Sequence, residues 1–288
     1  MLLCKVALFL FLLFKKEVNN LDENKLVHVA LMYDFDSTLS IGNIQDYNFI
    51  PALNMTEKSF WTEVDKVRYE NNMDNVLAYM YVMLKKAKEK NIPVTEENFI
   101  KFGTGVKFFQ GLDTWFDRIN GYANSLGIKV HHYVISSGIA EMIKGTSIAH
   151  YFDNIYASSF MYENGVAIWP SLAINYTNKT QFLFRINKGM LNITDDNVNE
   201  FVEEENKAIP FTHMMYIGDG LTDVPCMKLV KNYGGKSIAV YNSSKSEEVA
   251  KKLLETERVN YIAKANYLPD SLTEKLVFNW LKEKVKGK

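Results

Sequence analysis

Cysteine is nearly absent: two residues in 288, Cys4 and Cys226, far apart in the chain. That excludes a disulfide framework and a thiolate metal site, and it fits a reducing compartment. An excess of either charge is lacking too, since 33 Lys and Arg face 34 Asp and Glu for a formal net charge of −1. Nucleic acid and anionic membranes usually call for a basic surface, so neither is expected as the main partner. No internal repeat, low-complexity linker or mark of a stable protein partner is found, and a small molecule is the expected ligand.

Long apolar runs are missing except at the start, "MLLCKVALFLFLLFKK". Its unbroken stretch, Val6 to Phe14, would rise only about 14 Å as a helix, against roughly 30 Å of hydrocarbon. It cannot span a bilayer alone. As a signal peptide it lacks a small-x-small cleavage site, because "KKEVNN" follows. Residues 1–25 are therefore expected to form an N-terminal extension on a cytoplasmic protein, with membrane association through residues 1–16 as the alternative.

What the chain does have is apolar content, 47% of its residues, enough for a full core. "KLVHVALMY" (25–33) is short, rich in β-branched and apolar residues, and stops at Asp34, as a buried parallel strand does. "IKVHHYVI" (128–135), "THMMYI" (212–217) and "KSIAVY" (236–241) repeat the pattern, each followed by a turn and helical periodicity. Strands alternating with helices predict an α/β fold, a Rossmann-like parallel sheet covered on both faces. A helix is expected over Leu112 to Leu126, stopped by Gly127, and "SLTE" (271–274) reads as a capping box opening the last helix.

About 95 residues separate the first two strands, far too many for a loop. They carry two helical stripes, one with Phe60, Trp61, Val64 and Val67 and one with Val76, Tyr79, Met80, Met83, Leu84 and Ala87. An inserted α-helical subdomain over residues 43–106 is the simplest reading, between core segments 26–42 and 107–288. Its Met and Tyr stripe is read as core, and the lysines of "YMYVMLKKAKEK" as a solvated face. A small β-hairpin insertion is expected around Asn164-Gly165.

In an open α/β sheet, ligands sit at the carboxyl ends of the strands. Here those ends bring Asp34, Asp36 and Thr38, then Ser136, Ser137 and Gly138, then Gly218, Asp219, Gly220 and Asp223. Four ionised carboxylates on one edge would repel, so something positive must sit among them. With no His or Cys in the cluster, an all-oxygen ion such as Mg²⁺ suits it better than zinc. Asp34 and Asp36, one residue apart, can both reach one reaction centre, one as nucleophile and the other as proton donor or acceptor. The Ser136 hydroxyl, nearby backbone N–H groups and a lysine would hold phosphate oxygens.

Asp-Phe-Asp-Ser-Thr-Leu (34–39), Val-Ile-Ser-Ser-Gly (134–138) and Gly-Asp-Gly-Leu-Thr-Asp (218–223) resemble, in order, the motifs of the haloacid dehalogenase-like (HAD) hydrolase superfamily. The likeness covers residues 26–270, and the insertion after the first motif is similar to the helical cap of the phosphoserine-phosphatase-like branch. It implies that Asp34 attacks phosphorus to form an aspartyl-phosphate, while Asp36 protonates the leaving alcohol and then activates water. Asp34, the Asp36 carbonyl and Asp219 would bind Mg²⁺, with Asp223 a ligand or an anchor behind it, and Ser136, Ser137 and Gly138 would hold phosphate. The family's lysine falls to Lys179 in preference to Lys188, which precedes Gly189 at a helix end.

The implied activity is hydrolysis of a small phosphorylated metabolite. The alternatives are phosphotransfer and a non-catalytic phospho-ligand binding or switch protein; Asp36 argues against dehalogenation, which needs no acid for a leaving alcohol. Phosphoserine itself is not implied, because phosphoserine phosphatases carry a glutamate nine residues after the nucleophile, where this chain has Asn43. His131 and His132, on opposite faces of a strand, are read as packing residues, and Cys226 as a small buried one.

Overall fold

The structure, a computed structural model, describes residues 26–285. Cys4, the apolar run Val6 to Phe14 and the expectations placed on them lie outside the described residues. Among the described residues no helix is long and apolar enough to cross a membrane.

Among the described residues seven strands form one sheet: β1 (Val27–Tyr33), β2 (Ile128–Ile139), β3 (Asn154–Glu163), β4 (Val166–Leu172), β5 (Met214–Gly218), β6 (Lys236–Tyr241) and β7 (Tyr261–Lys264). Their order is β4-β3-β2-β1-β5-β6-β7. Every pairing is parallel except β3 with β4. Side chains of the central strands alternate between two cores. Val29, Leu31 and Tyr33 enter one, and Ala30 and Met32 the other. A strand buried on both faces needs no polar alternation, which is why β1 reads as an unbroken apolar run.

The helix Leu112–Ser125 covers one face, burying Leu112, Trp115, Phe116, Ile119 and Ala123. Trp115 Nε1 donates to Tyr33 Oη across 3.1 Å, satisfying a polar atom inside the core. Gly127, at φ +70°, turns the chain back into β2. The last helix, Leu272–Glu283, is capped by Ser271, whose hydroxyl accepts from the Glu274 N–H. The reciprocal half of the expected box is absent, because Glu274 instead accepts from the Asp270 N–H and from Arg118.

The hairpin forms at Asn164-Gly165, whose φ values of 51° and 78° suit a tight primed turn. It is not a separate ribbon: β3 pairs with β2 and carries β4 as the sheet's edge. β7 is an addition to the strands read from sequence, since four residues ending in lysine carry little periodic signal.

Between β1 and β2 stand the helices Glu57–Asn71, Asn75–Glu89 and Glu96–Gly103. Thr56 caps the first; Asn72, at φ 48°, ends it, and Asp74 caps the second two residues later. Ala78, Met80, Val82 and Met83 are fully buried, so the stripe is mainly core, while Lys86 pairs outside with Glu63 and Glu89. The third helix lies against Ala140–Lys144 so closely that a Cβ at Gly103 would sit 1.8 Å from the Met142 carbonyl oxygen.

Candidate active site

β1 ends at Tyr33, and the chain folds tightly at once: the N–H groups of Thr38, Leu39 and Ser40 all point to the Phe35 carbonyl. Ser37 takes a left-handed φ of 59° inside this turn. The turn keeps Asp34 at the strand end and brings Asp36 round to the same cavity, where its Oδ1 accepts from the Ile44 N–H at 2.8 Å. A volume of about 390 Å³ opens here, walled on one side by Asp34, Asp36, Ser136, Ser137, Lys179 and Asp219. Residues of the first two inserted helices and the turn between them, with Asn43, Gln45, Asn175 and Tyr176, make the opposite wall.

Lys179, the first residue of the helix Lys179–Lys188, is 1% exposed. Its Nζ donates to Asp34 Oδ1 at 2.9 Å and to Asp223 Oδ1 at 2.7 Å. Burial opposes the ammonium charge, but the Asp223 and Asp34 carboxylates outweigh burial and hold the group well above its ordinary value. Lys188 is elsewhere, donating to the carbonyls of Val198 and Glu200 and fastening the segment that follows the helix.

Oxygens of Asp34, Asp219 and Asp223 lie within 4.8 Å of one another. Burial first, then the Asp223 charge, raises the Asp34 carboxyl to about 6. Burial and the Asp34 charge raise Asp36 and Asp219 to about 8 each. One ammonium does not balance four carboxylates. The excess negative charge and the all-oxygen donor set fit a hard divalent cation such as Mg²⁺. Asp223 is fully buried, and besides Lys179 its Oδ1 accepts from the Tyr216 hydroxyl at 2.8 Å. A Cβ on Gly218 would approach its Cγ to 2.7 Å, so only glycine fits beneath it.

Ser136 is fully buried, and its Oγ accepts from the Gly138 N–H at 3.0 Å. The Gly138 N–H, expected at the phosphate, is directed to Ser136 here. The same contact leaves the Ser136 O–H to donate. Gly138 has a second use: a Cβ there would stand 3.1 Å from Asp36 Oδ2. The Ser137 carbonyl accepts from Tyr79 and from Ser158 Oγ, which ties an inserted helix and β3 to the end of β2.

Several cavity residues gave no sequence signal of their own. Tyr79 is part of the buried stripe yet its hydroxyl reaches Ser137, and Gln45, Arg68, Asn75 and Asn175 line the wall. Tyr216, behind the cavity, gave no signal either: it lies in a strand read only as apolar, and its hydroxyl donates to Asp223. His131 and His132 do face opposite ways: His132 is buried between Tyr33 and Asn120, and His131 bonds His28 and Asp153. Cys226 is buried, and burial pushes its thiol up, away from reactivity.

No family model matches the chain. An uncharacterized protein of Borreliella burgdorferi is 29% identical over 285 residues, spanning 89% of this chain and 96% of its own. Among solved structures, a HAD family hydrolase from Salmonella enterica serovar Typhi superposes with a TM-score of 0.57 at 16% identity, over 88% of this chain and 72% of that one. A phosphoserine phosphatase in apo form gives 0.53 at 16% identity, over 86% and 98%. Another phosphoserine phosphatase, holding an analogue of a phospho-aspartyl intermediate, gives 0.51 at 17%, over 87% and 98%. The chain has the haloacid dehalogenase-like fold in its phosphoserine-phosphatase-like form.

Proposed function

We propose that the chain is a Mg²⁺-dependent phosphomonoester hydrolase that works through an aspartyl-phosphate on Asp34. The observation that carries this reading is the buried Lys179 ammonium bridging Asp34 and Asp223 on the cavity wall that also holds Asp36, Ser136 and Asp219. A carboxylate held by a lysine beside a second carboxyl, with hydroxyl and ammonium donors around it, suits phosphoryl transfer better than mere binding.

In the first step an Asp34 oxygen bonds to phosphorus, the bond from phosphorus to the ester oxygen breaks, and Asp36 gives its proton to the departing alkoxide. A carboxyl raised to about 8 holds that proton at neutral pH. In the second step Asp36, now ionised, takes a proton from water as the water oxygen attacks phosphorus, which frees Asp34 and inorganic phosphate. Lys179 and the Ser136 O–H donate to phosphate oxygens as their charge redistributes. Asp34, Asp219, Asp223 and the Asp36 carbonyl would hold Mg²⁺, which when bound supplies charge that neutralises the phosphoryl oxygens.

The test is phosphate release from a panel of phosphomonoesters, with Mg²⁺ and with chelator, beside Asp34→Asn. Metal-dependent release lost in the variant supports the reading. Release that survives Asp34→Asn excludes Asp34 as nucleophile, and none from any ester moves the assignment to phosphotransfer or binding.

A further inference from the structure

The two oxygens of Asp223 are used unequally. Oδ1 accepts from the Lys179 ammonium at 2.7 Å and from the Tyr216 hydroxyl at 2.8 Å, whereas Oδ2 has only the Gly220 N–H at 3.4 Å. The two contacts at Oδ1 are ordinary hydrogen bonds and the one at Oδ2 is longer than ordinary. Turning the carboxylate about its Cβ–Cγ bond would break both short bonds at once. Asp223, Tyr216 and Lys179 are each at most 1% exposed, so bulk water does not replace a lost donor.

The two donors differ in how firmly they are held themselves. Lys179 carries its ammonium on a flexible four-carbon stem. Tyr216 carries its hydroxyl on a rigid ring in β5, a strand in register with β1: Met32 pairs with Tyr216 and Tyr33 with Ile217. The Asp34 N–H then donates to the Ile217 carbonyl at 2.9 Å. A closed circuit results, from Asp34 through Lys179 Nζ and Asp223 to Tyr216, and back to Asp34 along the ladder between β5 and β1. Tyr216 is not part of the cavity lining, so it is not placed to touch a ligand.

We propose that Tyr216 is a positioning residue for phosphoryl transfer: by fixing Asp223 it holds the Lys179 ammonium where one N–H remains for a phosphate oxygen. This rests on the phosphatase reading above and adds to it a residue behind the cavity. Lys179 has three N–H donors, and Asp34 and Asp223 take two of them. Without the hydroxyl, ammonium and carboxylate can shift together while staying paired, and a misplacement of about 1 Å at a reacting centre can cost about a hundredfold in rate. Binding of the unreacted ester should change less, because the third N–H counts most as charge redistributes on the phosphate oxygens.

The experiment uses the full chain with Mg²⁺ and p-nitrophenyl phosphate. Tyr216→Phe removes the hydroxyl and keeps the ring; kcat should fall by about tenfold, with KM within about threefold of wild type. In a Lys179→Met background the same substitution should cost less than about twofold, since the group it positions is gone. Calorimetry reads the same effect without turnover. Orthovanadate, which takes the five-coordinate geometry of the transferring group, should bind about tenfold more weakly to Tyr216→Phe, and inorganic phosphate less than about threefold more weakly.

Wild-type kcat in Tyr216→Phe overturns the proposal, as does an equal loss with Lys179 present and replaced. A half-saturating Mg²⁺ concentration that rises by about tenfold also overturns it, by placing the effect on the cation instead of the lysine. Tyr216→Met is a second variant without the hydroxyl; if circular dichroism shows that neither folds, the hydroxyl serves stability and the proposal fails. Any of these results in a chain whose wild type hydrolyses the ester defeats this proposal alone. If the wild type hydrolyses no ester, the phosphatase reading fails and takes the proposal with it.

Discussion

The Lys179 ammonium lies 2.9 Å from Asp34 Oδ1, a contact between residues 145 positions apart in the chain. It forms because β1 and the helix Lys179–Lys188 both deliver their ends to one edge of the sheet. Its burial makes it expensive to break, since a charge left without its partner inside a protein is strongly destabilising.

Lys179→Met should therefore lower kcat by about a hundredfold or more, in line with the loss of one preorganised donor. It should also lower the thermal midpoint in chelator, where Asp34 and Asp223 are left facing each other. Lys188→Ala removes only contacts to the carbonyls of Val198 and Glu200 and should turn over near the wild-type rate. Steady-state kinetics of the two variants, with circular dichroism for folding, decide the matter; the reverse ranking would reassign the lysine.

Asp36 is assigned to proton transfer, and this makes its effect depend on the leaving group. A p-nitrophenolate leaves without much help, whereas an alkoxide needs the proton. Asp36→Asn should cost about 10²- to 10⁴-fold with alkyl phosphates and markedly less in the first step with p-nitrophenyl phosphate. Rapid-quench measurement of phenolate release isolates that step from the slow hydrolysis that follows. An equal loss for both ester types would remove Asp36 from the acid role.

Two glycines separate packing from chain entropy. At Gly218 an added methyl would meet Asp223 Oδ2 at 2.6 Å, so Gly218→Ala should cost about 1–3 kcal/mol and disturb the acidic cluster. Gly121 lies inside the helix Leu112–Ser125, and a methyl there would find nothing within 4 Å. Gly121→Ala should stabilise by roughly 0.5–1 kcal/mol. Chemical denaturation of both variants tests the pair, and a destabilised Gly121→Ala would contradict the open space around that position.

The legible part of this protein was its sheet edge. Asp34, Ser136 and Asp219 follow buried apolar runs, and a parallel strand announces its own end. The opposite wall was not legible, for a physical reason. Tyr79 sits on the same helical stripe as Met80 and Met83, and only tertiary packing decides that its hydroxyl meets Ser137 while its neighbours fill the core. Arg68 and Gln45 occupy ordinary helical and turn positions, and only the fold brings them to the cavity wall. The family pattern, a lysine before a small residue at a helix start, favoured Lys179 over Lys188; it is burial and the two carboxylates that distinguish their environments in space. β7 was missed because its four residues hold only two alternations of the strand period, too few to stand out from the background.

The acidic cluster also sets a pH dependence whose sign can be worked out. Asp36 and Asp219 titrate near 8 in the folded protein, against a value near 4 for an unfolded carboxyl. A raised folded-state value means that the folded form holds protons the unfolded form has released. The stability this confers is full below about pH 4 and is lost as pH rises through 8. His132 acts in the opposite sense: burial lowers it to about 3, so it takes stability away only as pH falls below about 6.5. Between about pH 6.5 and 8 the carboxylates therefore dominate among these groups, and the chelated protein should lose stability on the order of 1 kcal/mol per pH unit. Mg²⁺ competes with the Asp219 proton and binds the folded form, so its stabilising effect should grow over the same interval. Thermal unfolding with Mg²⁺ and with chelator at both ends of the window measures this. A gap that widens towards pH 8 supports the cluster as the metal site, and a gap that is constant or closes would place the cation elsewhere.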